Sequence, residues 1–318
     1  MRTLRQVPAE RYDEETLLRF VGREEYERFL ASRGERMSPR MARSLTLADL
    51  KAGMRVLDMG CGRGEIALHA AKRGVEVVGI DYSADCLRLS RRTLRVASEG
   101  DRARVALGRA DATALPFADG AFDRVFMLDL VEHLYDWQLS RALREARRVL
   151  SPRGYLILHT LPNRWALRYG YPLLRLLLPR LPHDPRTDYE PEVHVNEQDI
   201  LSLKRSLNEA GLYSKVWLEN LTVEQAAWHG AETEFTDIRG EAYPFLRHPL
   251  VRAMVFLLMR TPLRLIVAND IYAIAWRPDG EEPQVLKGRG FQFWSARISR
   301  FCTATTLHNE GAKHGQTA

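Results

Sequence analysis

Val56-Leu57-Asp58-Met59-Gly60-Cys61-Gly62-Arg63-Gly64-Glu65 decides the fold. It reads as a strand, a glycine turn and the start of a helix. Val56 and Leu57 supply an apolar β-type start. Gly60, Gly62 and Gly64 admit positive φ and let a ligand approach bare backbone. The helix beyond carries Ile66, Ala67, Ala70 and Ala71 on one face, ends in Lys72 and Arg73, and stops at Gly74. The spacing is D-x-G-x-G-x-G. A dinucleotide fingerprint runs G-x-G-x-x-G and seats a pyrophosphate on the helix N-terminus. Here Asp58 precedes the glycines and Glu65 lies in the first helical turn. Two carboxylates there repel a pyrophosphate and suit a ligand that carries positive charge.

Working outward, Glu76-Val77-Val78-Gly79-Ile80-Asp81 is a second apolar run that ends in an acid, placed to take two ribose hydroxyls. Arg109-Ala110-Asp111-Ala112 offers another acid at a strand end, suited to an adenine amino group. S-adenosylmethionine, a nucleoside with an ammonium and a sulfonium, meets all three requirements. Leu115-Pro116-Phe117-Ala118-Asp119-Gly120-Ala121-Phe122-Asp123 completes the series. With these four motifs in order, from about Met54 to Asn163, the chain resembles class I S-adenosylmethionine-dependent methyltransferases. The similarity is to the branch whose LPF-x-D-x-x-FD segment is shared by ubiquinone and menaquinone C-methyltransferases and many small-molecule methyltransferases. The resemblance implies that Asp58, Gly60, Cys61, Gly62 and Gly64 face the methionine part of the cofactor, with Cys61 as a small turn residue. It implies Asp81 on the ribose, Asp111 and Ala112 at the adenine, and Asp129 at the cofactor's edge. Tyr82 lies along the adenine or serves as packing.

Strand candidates at 54–59, 75–80, 104–109, 122–128 and 155–160 alternate with helices near 64–73, 84–97 and 139–150. The last follows the helical period through Leu139, Ala142, Leu143, Ala146, Val149 and Leu150, and Ser151-Pro152-Arg153-Gly154 ends it. Such alternation predicts an α/β, doubly wound, mainly parallel sheet with helices on both faces. Ligands in such sheets bind beyond the carboxyl ends of the strands, where every acid named above falls. A helix near 197–210 with Asn196 as N-cap, a sixth strand from Tyr213 to Leu218 and a last strand from Asp270 to Trp276 follow. The resemblance makes this sheet seven-stranded, with the last strand antiparallel between the fifth and sixth. The expected organisation is a helical N-terminal cap over 1–50 and a methyltransferase domain over 51–277. Insertions near 164–196 and 221–262 interrupt that domain, and a disordered tail runs from 278 to 318.

Two readings of Asp129-Leu130-Val131-Glu132-His133-Leu134 stand side by side. In one, Asp129 as N-cap and Glu132 at N3 form a capping box with no further role. In the other, the stretch faces the transferring methyl, and His133 accepts a proton or orients the acceptor. His159, at the end of the fifth strand, and His194, after the first insertion, are further candidates. Each of these has a structural reading as well.

The two insertions set arginines among apolar residues: Arg164, Arg168, Arg175 and Arg180 in one, Arg247, Arg252, Arg260 and Arg264 in the other. No acid occurs from Leu161 to His183 or from Ala242 to Asn269. Such a surface suits an anionic membrane or a lipid-like acceptor; the competing reading is a lid whose arginines face water. The chain's 318 residues and formal net charge of +6 bound one large domain with insertions. Only Cys61, Cys86 and Cys302 occur, without a C-x-x-C pair, so neither a disulfide frame nor a metal site is expected. Charges interrupt the N-terminus, and a cytoplasmic protein, membrane-associated if the insertions touch lipid, is the expectation. The partner expected is a small-molecule or lipid-like acceptor rather than nucleic acid. Nothing in the sequence signals an oligomeric state. Two rivals remain: a non-catalytic S-adenosylmethionine-binding protein of the same fold, and a nicotinamide oxidoreductase, whose fingerprint this chain departs from.

Overall fold

The computed structural model describes residues 6–21, 23–177, 179, 183–186, 190–219 and 249–287. Seven strands form one sheet: β1 (Arg55–Met59), β2 (Glu76–Asp81), β3 (Val105–Arg109), β4 (Phe122–Leu128), β5 (Leu150–Thr160), β6 (Tyr213–Glu219) and β7 (Asp270–Trp276). Their order is β3-β2-β1-β4-β5-β7-β6, with β7 antiparallel to both its neighbours and every other pair parallel. The winding reverses between β1 and β4. That reversal opens a crevice beyond the carboxyl ends of these two strands, the usual ligand position in open α/β sheets.

The core follows from the period of two along each strand. Leu57, Met59, Val125, Met127, Leu156 and Leu158 face one layer, with the helices Asp136–Val149 and Ile200–Glu209. Val56, Phe126, Tyr155, Ile157 and Ile274 face the other, with the helices Pro39–Ala48 and Glu65–Ala71. Both faces of β4, β5 and β7 are thereby covered, as a parallel sheet requires. The helix Asp136–Val149 buries Leu139, Ala142, Leu143, Ala146 and Val149, the face its sequence period predicts. Truncating one of these leucines to Ala costs about 2–5 kcal/mol by cavity formation.

Several local expectations are corrected. The helix after the first insertion starts at Ile200, not 197, and Asp199 rather than Asn196 is its N-cap, accepting from Leu201 N and Ser202 N. Asn196 is engaged elsewhere: its side-chain amide donates to the Leu134 carbonyl and its backbone N–H to the Glu132 carbonyl. The segment Ser151-Pro152-Arg153-Gly154 does end a helix, but it already belongs to β5, as an irregular stretch of the ladder with β4. The tail is ordered past 278. Arg277 pairs with Asp279, and a 3-10 turn at Gln284–Leu286 buries Leu286 against the sheet. Residues 288–318, and 220–248 of the second insertion, lie outside the described residues.

Val7 and Tyr12 of the N-terminal segment reach the carboxyl ends of β2 and β4, and the helix Arg23–Ala31 packs on the helices that follow β1 and β2. Tyr26 and Phe29 pack on Leu68 and Leu89, and the Arg63 guanidinium sits 5.8 Å and 5.6 Å from the Tyr26 and Phe29 ring centres. The Tyr82 hydroxyl donates to the Val7 carbonyl, and the Ser83 hydroxyl to the Tyr12 carbonyl. Among the described residues no helix is long and apolar enough to cross a membrane.

Candidate functional site

The glycine turn joins β1 to the helix Glu65–Ala71 and is tied to β2, since Gly60 N and Cys61 N both donate to the Ile80 carbonyl. Gly62 has φ +49° and a Cβ there would meet only the Gly60 carbonyl, at 4.0 Å, so its backbone is open to a ligand. Gly62 N donates to Asp81 Oδ2 (3.1 Å) and Ser83 N to Asp81 Oδ1 (2.9 Å). These bonds orient the Asp81 carboxylate at the tip of β2. Burial raises its pKa, and the N–H groups of Ser83 and Gly62 oppose that. Cys61 is buried, with its sulfur 3.6 Å from the Ser90 hydroxyl.

Asp58 is the least settled group of this region. It is 3% exposed, and its Oδ2 has no hydrogen-bond partner among the described residues. Burial, and then the Asp81 charge, push its pKa up to about 7. A buried carboxylate without a partner is costly in either protonation state, and a cationic ligand removes that cost. Glu65, in the first helical turn, is also buried and raised by burial, with Arg63 opposing.

On the next strand end, Asp111 is exposed and accepts from Thr113 N (2.8 Å), with Ala112 half-buried beside it. Tyr82 is half-buried between the crevice and the N-terminal segment. Asp58, Gly60, Cys61, Gly62, Gly64, Asp81 and Tyr82 thus gather at one end of the crevice, and Asp111 and Ala112 lie on its β3 side.

The β4 side is organised differently. Asp129 adopts φ +52°, and its carboxylate accepts from His159 and faces Arg40 at 3.6 Å. Burial works against ionisation, but Arg40 and His159 hold its pKa well below the usual carboxylate range. The capping-box reading is therefore wrong. The turn Val131–His133 has no side-chain cap, and the Glu132 carboxylate accepts from the Thr160 hydroxyl instead (2.7 Å). Asp129 is drawn off because the buried His159 imidazole offers it a charge-assisted bond. His159 lies fully buried, bridging Asp129 and Asp270 (3.1 Å). Burial alone would lower its pKa, but the two carboxylates raise it to about 9. The two carboxylates favour the charged form of His159, which is spent on them inside the fold.

His133 is held by Tyr12, whose hydroxyl is 2.9 Å from Nδ1, and by the Val193 carbonyl at 3.3 Å. Burial lowers its pKa to about 4, against the pull of Val193 and Asp129, so it is neutral near pH 7. His194 packs edge-on against it with ring centres 4.8 Å apart, and burial followed by His133 lowers its pKa to about 3. Burial, then Asp129, raises Glu132 to about 8. Tyr12, Arg40 and Glu132 escaped sequence reasoning as site residues. Tyr12 and His133 are 121 positions apart, and no local pattern marks such a pair.

Comparisons with known proteins bear on the family and the fold. Residues 57–158 match the family described as "Methyltransferase domain". Methyltransferase GfsG of Streptomyces halstedii is 41% identical over 128 residues, 40% of this chain and 44% of that protein. The demethylmenaquinone methyltransferase of Clavibacter sepedonicus is 32% identical over 186 residues, 56% of this chain and 73% of the relative. The chain belongs to the class I S-adenosylmethionine-dependent methyltransferases. Within them it falls in the branch of the ubiquinone and menaquinone enzymes. It spans about half the length of several curated relatives it matches. Haemonchus contortus phosphoethanolamine N-methyltransferase 2, solved with S-adenosyl-L-methionine, superposes with a TM-score of 0.54 at 17% identity. That match covers 84% of this chain and 58% of the other, and is a likeness of fold.

The family's cofactor is S-adenosylmethionine, and the residues of this chain fit it. The partnerless Asp58 oxygen answers an ammonium, and the open backbone at Gly62 admits close approach.

Proposed function

We propose that this chain binds S-adenosylmethionine at the glycine turn and transfers its methyl group, in line, to a small-molecule or lipid-like acceptor. The observation that carries the reading is the buried, partnerless oxygen of Asp58 beside Asp81. Asp58 and the backbone of Gly60, Cys61, Gly62 and Gly64 hold the methionine end, Asp81 takes the ribose hydroxyls, and Tyr82, Asp111 and Ala112 border the adenine. Asp129 closes the side toward β4, where His133 meets the acceptor. The methyl passes from sulfonium to an O, N or C nucleophile. What the chain supplies is alignment and exclusion of water, which account for much of the acceleration in such displacements. A neutral His133 takes the acceptor's proton when the nucleophile carries one.

Calorimetric titration with S-adenosylmethionine, S-adenosylhomocysteine and NAD tests the reading. Binding of the two adenosyl ligands and none of NAD is expected. NAD binding alone would sink it. Methyl-labelled donor incubated with small-molecule and lipid extracts then identifies the acceptor class through the labelled product.

The acceptor side also carries an exposed apolar face. Five of the eight large hydrophobic side chains exposed among the described residues lie in the insertions, Tyr169, Leu173, Leu176, Met254 and Leu257, and Leu263 directly follows the second. Tyr169, Leu173 and Leu176 share one helical face, and the turn Ala166–Gly170 packs on the helix Arg264–Val267, which follows the second insertion. Arg168, Arg175, Arg260 and Arg264 accompany it. This combination supports contact with an anionic membrane, where a lipid-like acceptor resides. The chain is expected to cosediment with phosphatidylglycerol vesicles and not with phosphatidylcholine vesicles. Leu176→Asp should weaken that binding about tenfold without changing thermal stability, since Leu176 is 78% exposed.

A further inference from the structure

Glu132, His133 and His194 bring a carboxylate oxygen and two ring nitrogens within 4.8 Å of one another. Ions of the zinc class hold such ligands at about 2.0–2.2 Å, which sets ligand atoms roughly 3.3 Å apart in a tetrahedron. Closing the gap takes about 1.5 Å at most, a small side-chain rotation. The surroundings match those of bound metal ligands. Thr160 donates to the Glu132 carboxylate, and Tyr12 and Val193 hold Nδ1 of His133. Outer partners of this type orient metal-binding imidazoles and carboxylates. His194 is fixed relative to the other two, because Asn196 N donates to the Glu132 carbonyl and the Asn196 amide to the Leu134 carbonyl. Arg186, a cation near His194, is turned to Asp184 and Glu197. Arg40 is turned to Asp129.

We propose that Glu132, His133 and His194 form a two-histidine, one-carboxylate site for a divalent first-row transition ion, beside the turn that follows β4. Two nitrogens and one oxygen favour this class over magnesium, which prefers oxygen ligands and water. Three protein ligands leave coordination positions open. The site departs from the sequence expectation of no metal, which considered cysteine spacing only. With the ion bound, His133 is a ligand and not a proton acceptor. The proposal does not rest on methyl transfer, since metal uptake is read without cofactor or acceptor.

The test is a Co2+ titration of the full chain after stripping with chelator, followed by visible d–d absorption, with thermal unfolding in Zn2+ as a second readout. One equivalent of cobalt with the bands of a low-coordinate nitrogen–oxygen site is expected, together with a rise in Tm. Glu132→Gln and His194→Gln should each weaken uptake by about tenfold or more, and Thr160→Val by about tenfold. Circular dichroism and S-adenosylmethionine affinity verify that each variant folds. Should the ligand variants unfold, Thr160→Val alone decides, with unchanged uptake counting against the site. Absence of the bands, or uptake by the Glu132→Gln/His194→Gln double variant equal to that of the natural chain, would overturn the proposal.

Discussion

The two ends of the crevice handle buried charge in opposite ways. At the β1–β2 end, Asp58 keeps an oxygen without a partner and its pKa rises to about 7. At the β4–β5 end, Asp129 and Asp270 face the same imidazole, and Arg40 adds a second cation. The first end is poised for a ligand, because its unsatisfied acceptor gains a partner only when something binds. The second is closed on itself, and its charges brace the junction of β4, β5 and β7. A ligand should therefore stabilise the first region strongly and the second weakly, and substitutions should separate them.

The largest effect is expected at the closed end. His159→Gln removes the cation between two buried carboxylates and should cost about 3–5 kcal/mol, read as a lower Tm or denaturant midpoint. The pH dependence has a defined sign. The folded pKa of about 9 lies above the ordinary histidine value. The stabilisation is thus fully present below about pH 6.5 and is lost as pH rises toward 9. The natural chain should lose stability over that window, and the variant should lose less of it. Equal slopes in the two proteins would break the comparison.

At the open end, Asp81→Ala should lower S-adenosylmethionine affinity about 100-fold, the loss of two hydrogen bonds to a charged group, while Tm of the ligand-free chain changes little beside the His159 variant. An unchanged affinity by calorimetry would contradict the ribose assignment. A subtler effect separates the two ends by pH. Because Asp58 is protonated below about pH 7 without ligand, a cationic ligand must expel that proton, and affinity should fall up to about tenfold per pH unit below 7. Asp58→Asn should bind more weakly and flatten the dependence. A natural chain whose affinity is flat from pH 5 to 8 would place the cation elsewhere.

The open end was legible because it is local. Asp58, the glycines and Asp81 lie within one strand–turn–helix–strand unit, and backbone geometry alone brings them together. The closed end was misread for the converse reason. A capping box is a correct local option for Asp129 and Glu132, but His159, Arg40 and Thr160 offered stronger partners from distant segments. The same competition moved the helix cap from Asn196 to Asp199. The burial of Leu286 extended the ordered chain beyond Trp276, because the exposed edge of an apolar core gains from any side chain that covers it.

Strand periodicity, helix stops and the acid-flanked glycines were enough to dictate a doubly wound sheet and to gather Asp58, the glycine turn and Asp81 at the carboxyl ends of β1 and β2, since each is a property of neighbouring residues. Folding alone decided that Tyr12 and His194 meet His133, that His159 is buried between two carboxylates and that the turn Ala166–Gly170 packs on the helix Arg264–Val267. These depend on which surfaces come together when the chain collapses, and the energy of a buried charge is set by whatever partner arrives there.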